Sequence, residues 1–318
     1  MPLTAGGSAL ASQTLGFRDP LRLPCVYSEA NFHERAARTT LDALAWCGVH
    51  LGTICREKSV MSQAAVRPGS RDDITTVIAI AAMAACTSDF AHEAIGHGSA
   101  CLISGAHVTV LNNAFFQCSH FGRFVAMSGP LGNLAAGLIA FLAQSVIPAR
   151  WPGWRLYALL VMSFSLFWEA GYLIQAMIKG SGDSVFAWRE LVGPETMSVR
   201  GIAVAIGLSS YFLFSQMLAL RAASFASEPG RVRRLLRPAW LTGIVAMVFS
   251  AAFYDPDRLG AMRDAGLSVA ASFPLLFTNP RQQPTNEPAS RIARDDRVIS
   301  LGGLVLVLFV ATMGRGIH

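Results

Sequence analysis

The chain has 318 residues, is 53% hydrophobic and only 14% charged, and has a mean hydropathy of +0.43, whereas a soluble globular domain carries about 25% charged residues. Its net charge of +6 rests on arginines flanking apolar runs, with no basic stripe interleaved with aromatics, so no nucleic acid is expected as a partner. The composition calls instead for a lipid bilayer, in which only helices or closed barrels satisfy the backbone. The apolar runs are long and do not alternate strictly, so the expected class is an all-α polytopic membrane protein of about six transmembrane helices. A multi-pass protein of a bacterial-type inner (plasma) membrane is the expected setting.

Residues 1–72 form a polar N-terminal extension with Pro20 and Pro24 and no apolar core of a signal peptide. Leu41, Leu44, Val49 and Leu51 give 36–55 some helical periodicity, and Met61 offers an alternative start close to the first apolar run. The transmembrane core, 73–255, opens with a span over 74–103. The segment 107–118 (HVTVLNNAFFQC) then reads as a short β-hairpin turning at Asn112 and Asn113. Further spans follow at 122–147, 154–179, 200–221 and 238–255, with a Gly-containing loop at 180–199. Residues 256–296 hold either an interfacial helix or a seventh span at 262–278, where Arg263 and Asp264 interrupt the apolar run. A polar linker with little drive to fold follows at 279–296, and a last span, 297–315, lies in the C-terminal unit 297–318. Six cysteines contain no C-x-x-C pair, which argues against a disulfide framework and predicts buried, inert thiols at Cys86 and Cys101.

The first span is the informative one, because Asp89, His92, Glu93 and His97 lie near its C-terminal end. Ionisable groups at bilayer depth are costly unless they face a bundle interior, a partner or a metal. At about 100° per residue the four share one arc of about 140° on a helix. They form either a polar network tying helices together or a functional site. A divalent metal is the economical compensation, since imidazoles and carboxylates are zinc ligands. Glu93 beside a ligating histidine is then placed to act as general base, the mechanism carried by H-E-x-x-H.

This chain reads His92-Glu93-Ala94-Ile95-Gly96-His97, with one residue too many. On an ideal α-helix the two histidines diverge by about 140°. A π-bulge near Ala94–Gly96 would absorb the extra residue; a kink at Gly96 and Gly98 would free His97 to swing; a straight helix would pair Glu93 with His97 instead. Asp89 is the expected carboxylate orienting His92.

Together with the hairpin and with Ser128-Gly129-Pro130-Leu131-Gly132-Asn133 opening the next helix, the membrane-buried His-Glu…Gly-His pattern resembles the site-2 protease class of intramembrane zinc metallopeptidases. The resemblance covers residues 75–190 and implies a zinc cofactor held by His92, His97 and an aspartate from a later helix. Asp183, in Lys179-Gly180-Ser181-Gly182-Asp183, is the nearest candidate, although the Leu-Asp-Gly context usual in that class is absent. The resemblance further implies Glu93 as base, Asn133 binding substrate backbone or orienting the site, and a transmembrane protein segment as substrate. Glu169, the one charge in the middle of the third span, is a substitute ligand or a partner for a histidine. His107 and His120 read as loop residues. A lipid amide or ester hydrolase, an ion or proton pathway, and a non-catalytic scaffold remain the alternatives. The arginines of 221–237 belong in the cytoplasm. By parity the site then lies toward the outer face, whereas the resembled class holds it nearer the cytosol.

Overall fold

The computed structural model describes residues 71–280 and 291–317; the expected helix at 36–55 and the alternative start at Met61 lie outside the described residues. α1 runs from Ile74 to Ile103. Asp73 caps it, its carboxylate accepting the Thr76 N–H at 2.8 Å. The hairpin follows as β1 (Val108–Leu111) and β2 (Phe116–Cys118), paired antiparallel. Then come α2 (Arg123–Val146), α3 (Pro152–Lys179), α4 (Asp183–Leu191), α5 (Met197–Ala222) and α6 (Arg231–Ala251). α7 (Arg258–Ala270), α8 (Pro274–Phe277) and α9 (Asp296–Phe309) complete the bundle, α9 ending in a π-helical turn, Val310–Gly314.

Among the described residues, five helices are long and apolar enough to cross a membrane: α1, α2, α3, α5 (extended to Phe225) and α9 (to Gly314). α1 and α3 are the central pair, with 72% of each apolar window buried, against 17% for α5 and 22% for α9. The outer two instead present Ile202, Ile206, Phe212, Leu213, Leu304 and Leu308 outward, apolar surface that suits lipid and would be a liability in water. The expected span at 238–255 begins earlier than its apolar run. α6 takes in Arg231, Arg233, Arg234 and Arg237 in its first two turns, and these keep it out of the apolar group. Residues 258–277 return antiparallel to α6, with Ala261, Ala265 and Val269 buried and Leu259, Leu267 and Phe277 exposed.

The helix ends sort into two sets. At one end the starts of α1, α6 and α9 are clamped by Asp72. Its carboxylate receives Arg231 Nη2 at 2.7 Å, Arg231 Nε at 2.8 Å and the Ile292 N–H at 2.9 Å. Arg221, ending α5, donates to Ser145 near the end of α2 at 2.9 Å. At the opposite end the hairpin tip is pinned in place. Asn112 Oδ1 accepts the Ala114 and Phe115 N–H groups at 2.7 and 2.6 Å. Asn113 donates from its backbone to the Met313 carbonyl and from its side chain to the Met247 carbonyl, both at 3.1 Å.

Arg231 is fully buried, so Asp72→Asn takes a carboxylate away from a buried guanidinium. That will lower stability by about 3–5 kcal/mol, read as thermal unfolding in detergent; an unchanged midpoint would show that the clamp contributes nothing. Burial pushes the Asp72 carboxyl up, but Arg231 and the Ile292 N–H outweigh it and hold it below its ordinary 3.8. The contribution is therefore fully present above that value and is lost only as pH falls through the depressed one.

One expectation fails here. Cys101 is not a free thiol: it is disulfide-bonded to Cys118, while Cys86 is free and buried. The hairpin folds β2 back beside the last turn of α1. That long-range approach is invisible to a search for C-x-x-C.

Candidate metal centre

The centre begins with a local irregularity. Residues Ala91–Gly98 are π-helical, the Ser99 N–H reaching back to the Ala94 carbonyl in the i→i−5 pattern. The wider turn absorbs the extra residue of H-E-x-x-x-H and brings His92 and His97 onto one side, their ring centroids 4.9 Å apart. This is the π-bulge among the three expected rescues, spread over the whole motif.

Each imidazole is fixed through Nδ1. His92 Nδ1 lies 2.8 Å from Glu169 Oε1, and His97 Nδ1 lies 2.7 Å from the Val125 carbonyl oxygen. A carbonyl or an ionised carboxylate can only accept, so both rings carry a proton on Nδ1, and in the neutral imidazole each Nε2 keeps its lone pair for a metal. The two Nε2 atoms face the same Asp183 Oδ2, at 3.9 Å from His92 and 3.3 Å from His97. The three ligand atoms all lie within 4.8 Å of one another. Tetrahedral zinc with bonds of about 2.0–2.1 Å separates its ligands by about 3.3 Å. The buried His92, His97, Asp183 group can therefore hold a metal ion with small side-chain adjustments.

Asp183 arrives by a chain reversal. Gly180 ends α3 with φ of 71°, and Gly182 has φ of 115°, conformations that L side chains avoid. Asp183 follows as the first residue of α4. Tyr172 steadies it: the phenol donates to Asp183 Oδ2 at 3.2 Å and accepts the Asp183 N–H at 3.1 Å. Burial raises the Asp183 carboxyl, but His92 and His97, when protonated, face it with Nε2–H groups and positive charge and hold it well below the usual range. A cation in that position would act on it in the same sense.

The carboxylate orienting His92 is Glu169, not Asp89. Asn133 in turn donates to Glu169 Oε1 at 2.8 Å, so Asn133 acts on Glu169. Asp89 sits in the regular α-helical segment before the π-turn; it is buried, and neither oxygen has a hydrogen-bond partner among the described residues. Glu93 is also buried with Oε2 unpartnered among the described residues. It lines a cavity of about 710 Å³ together with His92, His97, Asp183, Phe116 and Tyr172. His107 and His120 are exposed on the hairpin side.

Several contributors escape a search for ionisable groups. Trp168 stacks on His92 at 4.6 Å and Phe116 on His97 at 5.1 Å. α2 approaches the π-turn through glycines: a Cβ on Gly96 would come 2.6 Å from Gly129 Cα, and one on Gly132 would come 2.9 Å from the Ala91 carbonyl oxygen. The spacing of Gly129 and Gly132 was the available signal, because small residues let membrane helices approach closely. No protein-family model, curated protein or solved structure matches this chain.

Proposed function

We propose that the protein is a membrane-embedded, zinc-dependent hydrolase, an intramembrane metallopeptidase in its most economical form. One observation carries this reading: two imidazoles tied down through Nδ1 turn their Nε2 atoms toward one aspartate, beside a buried glutamate whose Oε2 is unpartnered among the described residues. Such outer hydrogen bonds are what metal-ligating histidines need. His92, His97 and Asp183 would hold the ion and leave one position open, as catalytic zinc sites do. When bound, zinc supplies Lewis acidity, lowering the pKa of a water and polarising a carbonyl. Glu93 takes the proton as the water oxygen attacks the carbonyl carbon, then returns it to the departing amine nitrogen as the C–N bond breaks. Trp168 and Phe116 hold the rings rigid and keep bulk water from their faces.

A second hollow of about 660 Å³, lined by Ile174, Ile178, Leu208 and Phe212, shares Gly171, Gln175, Lys179, Tyr211 and Phe273 with the site cavity. It supports entry of substrate from the hydrocarbon, and this is the reason to prefer a transmembrane segment over a soluble peptide. The same hollow would admit an acyl chain, which favours a lipid amide or ester as the second reading.

The test is metal content of detergent-purified protein by inductively coupled plasma mass spectrometry. The parent will carry about one zinc per chain, and a His92→Ala/His97→Ala double variant will carry none. Parent protein with no more metal than the variant after zinc supplementation would remove the hydrolase from consideration.

A further inference from the structure

We infer that the candidate centre opens on the extracytoplasmic, oxidising side of the membrane, so that the bond it acts on lies at the outer leaflet. As a statement about substrate this rests on the hydrolase reading; as a statement about orientation it does not. Two observations of different kinds point the same way.

The first is chemical. Cys101 and Cys118 are joined at the site end of the bundle, and disulfides persist in oxidising compartments and are rare where thioredoxin and glutathione keep thiols reduced. The bond also belongs to the architecture of the centre. Cys101 lies one helical turn beyond His97, and Cys118 ends the strand whose Phe116 stacks on the His97 ring. Cys101 further packs with Val125, whose carbonyl receives His97 Nδ1. Closing the 17-residue separation between the two cysteines holds that wall against the ligand, and a reducing compartment would untie it.

The second is electrostatic. At the end away from the site, the connection from Arg221 to Arg237 carries five arginines, and Arg291, Arg294 and Arg297 lie beside it. At the site end, the connection 104–122 between α1 and α2 contains no lysine or arginine, and the connection 180–196 contains one, Arg189, with Lys179 and Arg200 on the helices beside it. Short connections rich in lysine and arginine stay in the cytoplasm. Hydrogen bonds donated to Asp72 by Arg231 and by the Ile292 N–H put the start of α1 at the arginine-rich end. α1 therefore leads from the cytoplasmic side outward to the centre.

The experiment is thiol labelling of the full chain in intact cells. Cys25, Cys47 and Cys55 are replaced by serine, leaving buried Cys86 and the bonded pair as background. Val192→Cys and Met197→Cys report the site end, and Arg233→Cys reports the other; all three positions are exposed. A membrane-impermeant maleimide will label the first two in intact cells and Arg233→Cys only after permeabilisation. Acid-quenched alkylation and mass spectrometry of the native chain will recover residues 101 and 118 as a linked peptide. Labelling of Arg233→Cys alone in intact cells overturns the inference, and so does recovery of Cys101 and Cys118 as free thiols. Neither readout needs bound metal or turnover, so a failure here is distinct from a failure of the hydrolase reading.

Discussion

Under the proposed hydrolase reading, a Glu93→Gln variant will keep its metal and lose hydrolysis by at least about 10²-fold, the lower range for removing a general base. The substitution preserves size and the carbonyl oxygen but removes the ability to take a proton. Glu93 occupies the π-turn between the two histidines, yet it is not one of the three groups whose ligand atoms converge. It faces the same cavity with Oε2 unpartnered among the described residues. That combination, near the ions' position but outside the ligand set, is what a base on attacking water requires. The measurement pairs zinc content with cleavage of co-expressed model transmembrane segments, followed by immunoblot. Undiminished cleavage would deny Glu93 its role. Loss of zinc together with cleavage would make Glu93 a ligand and break the assignment of Asp183.

The helices and the centre differ in how far the residues alone disclose them. Long apolar runs determine spans almost by length, so the expected 74–103 and 122–147 meet helices at Ile74–Ile103 and Arg123–Val146. α6 was harder, because its arginine-rich start is helical without being apolar, and propensity rather than hydropathy sets where it begins. Within the centre, the extra residue in H-E-x-x-x-H had few physical resolutions, and the π-turn was one of them. Asp183 was reachable through the resemblance, as the nearest aspartate after the third span, and the glycines beside it make the reversal back toward the bundle. The partner of His92 was not. Asp89 and Glu169 are both carboxylates within apolar helices, and only the rotation of α3 against α1 decides that Glu169 meets Nδ1 at 2.8 Å. The same holds for Tyr172 and Trp168 on that face of α3, and for the Cys101–Cys118 pair, which depends on where the hairpin lands. What a periodicity fixes is one helix's own face; the contacts that tune the ligands belong to pairs of helices.

Under the proposed reading, Gly129→Ala will weaken zinc binding by up to about 10²-fold, the scale on which disturbing the groups that orient a ligand is felt in metal affinity. A Cβ on Gly129 would sit 2.2 Å from His97 Nε2 and 2.5 Å from its Cε1, well inside contact distance, and Nε2 is the atom that would bind the ion. The ring has little freedom to retreat: its Nδ1 is held by Val125, its face lies on Phe116, and the preceding residue, Gly96, is packed closely on α2. Displacement must therefore come either from His97 leaving its position or from α1 and α2 moving apart. The two outcomes are separable. If His97 alone moves, affinity measured by chelator competition falls while the thermal midpoint of the metal-free protein changes little; if the helices separate, both fall. Gly303→Ala is the control, on the outer side of α9 where an added Cβ meets nothing within 4 Å. There the change should raise stability by up to about 1 kcal/mol through helix propensity and leave zinc affinity alone. Parental affinity in Gly129→Ala would mean that His97 Nε2 is not a ligand, and the centre would then have to be rebuilt around His92, Glu93 and Asp183.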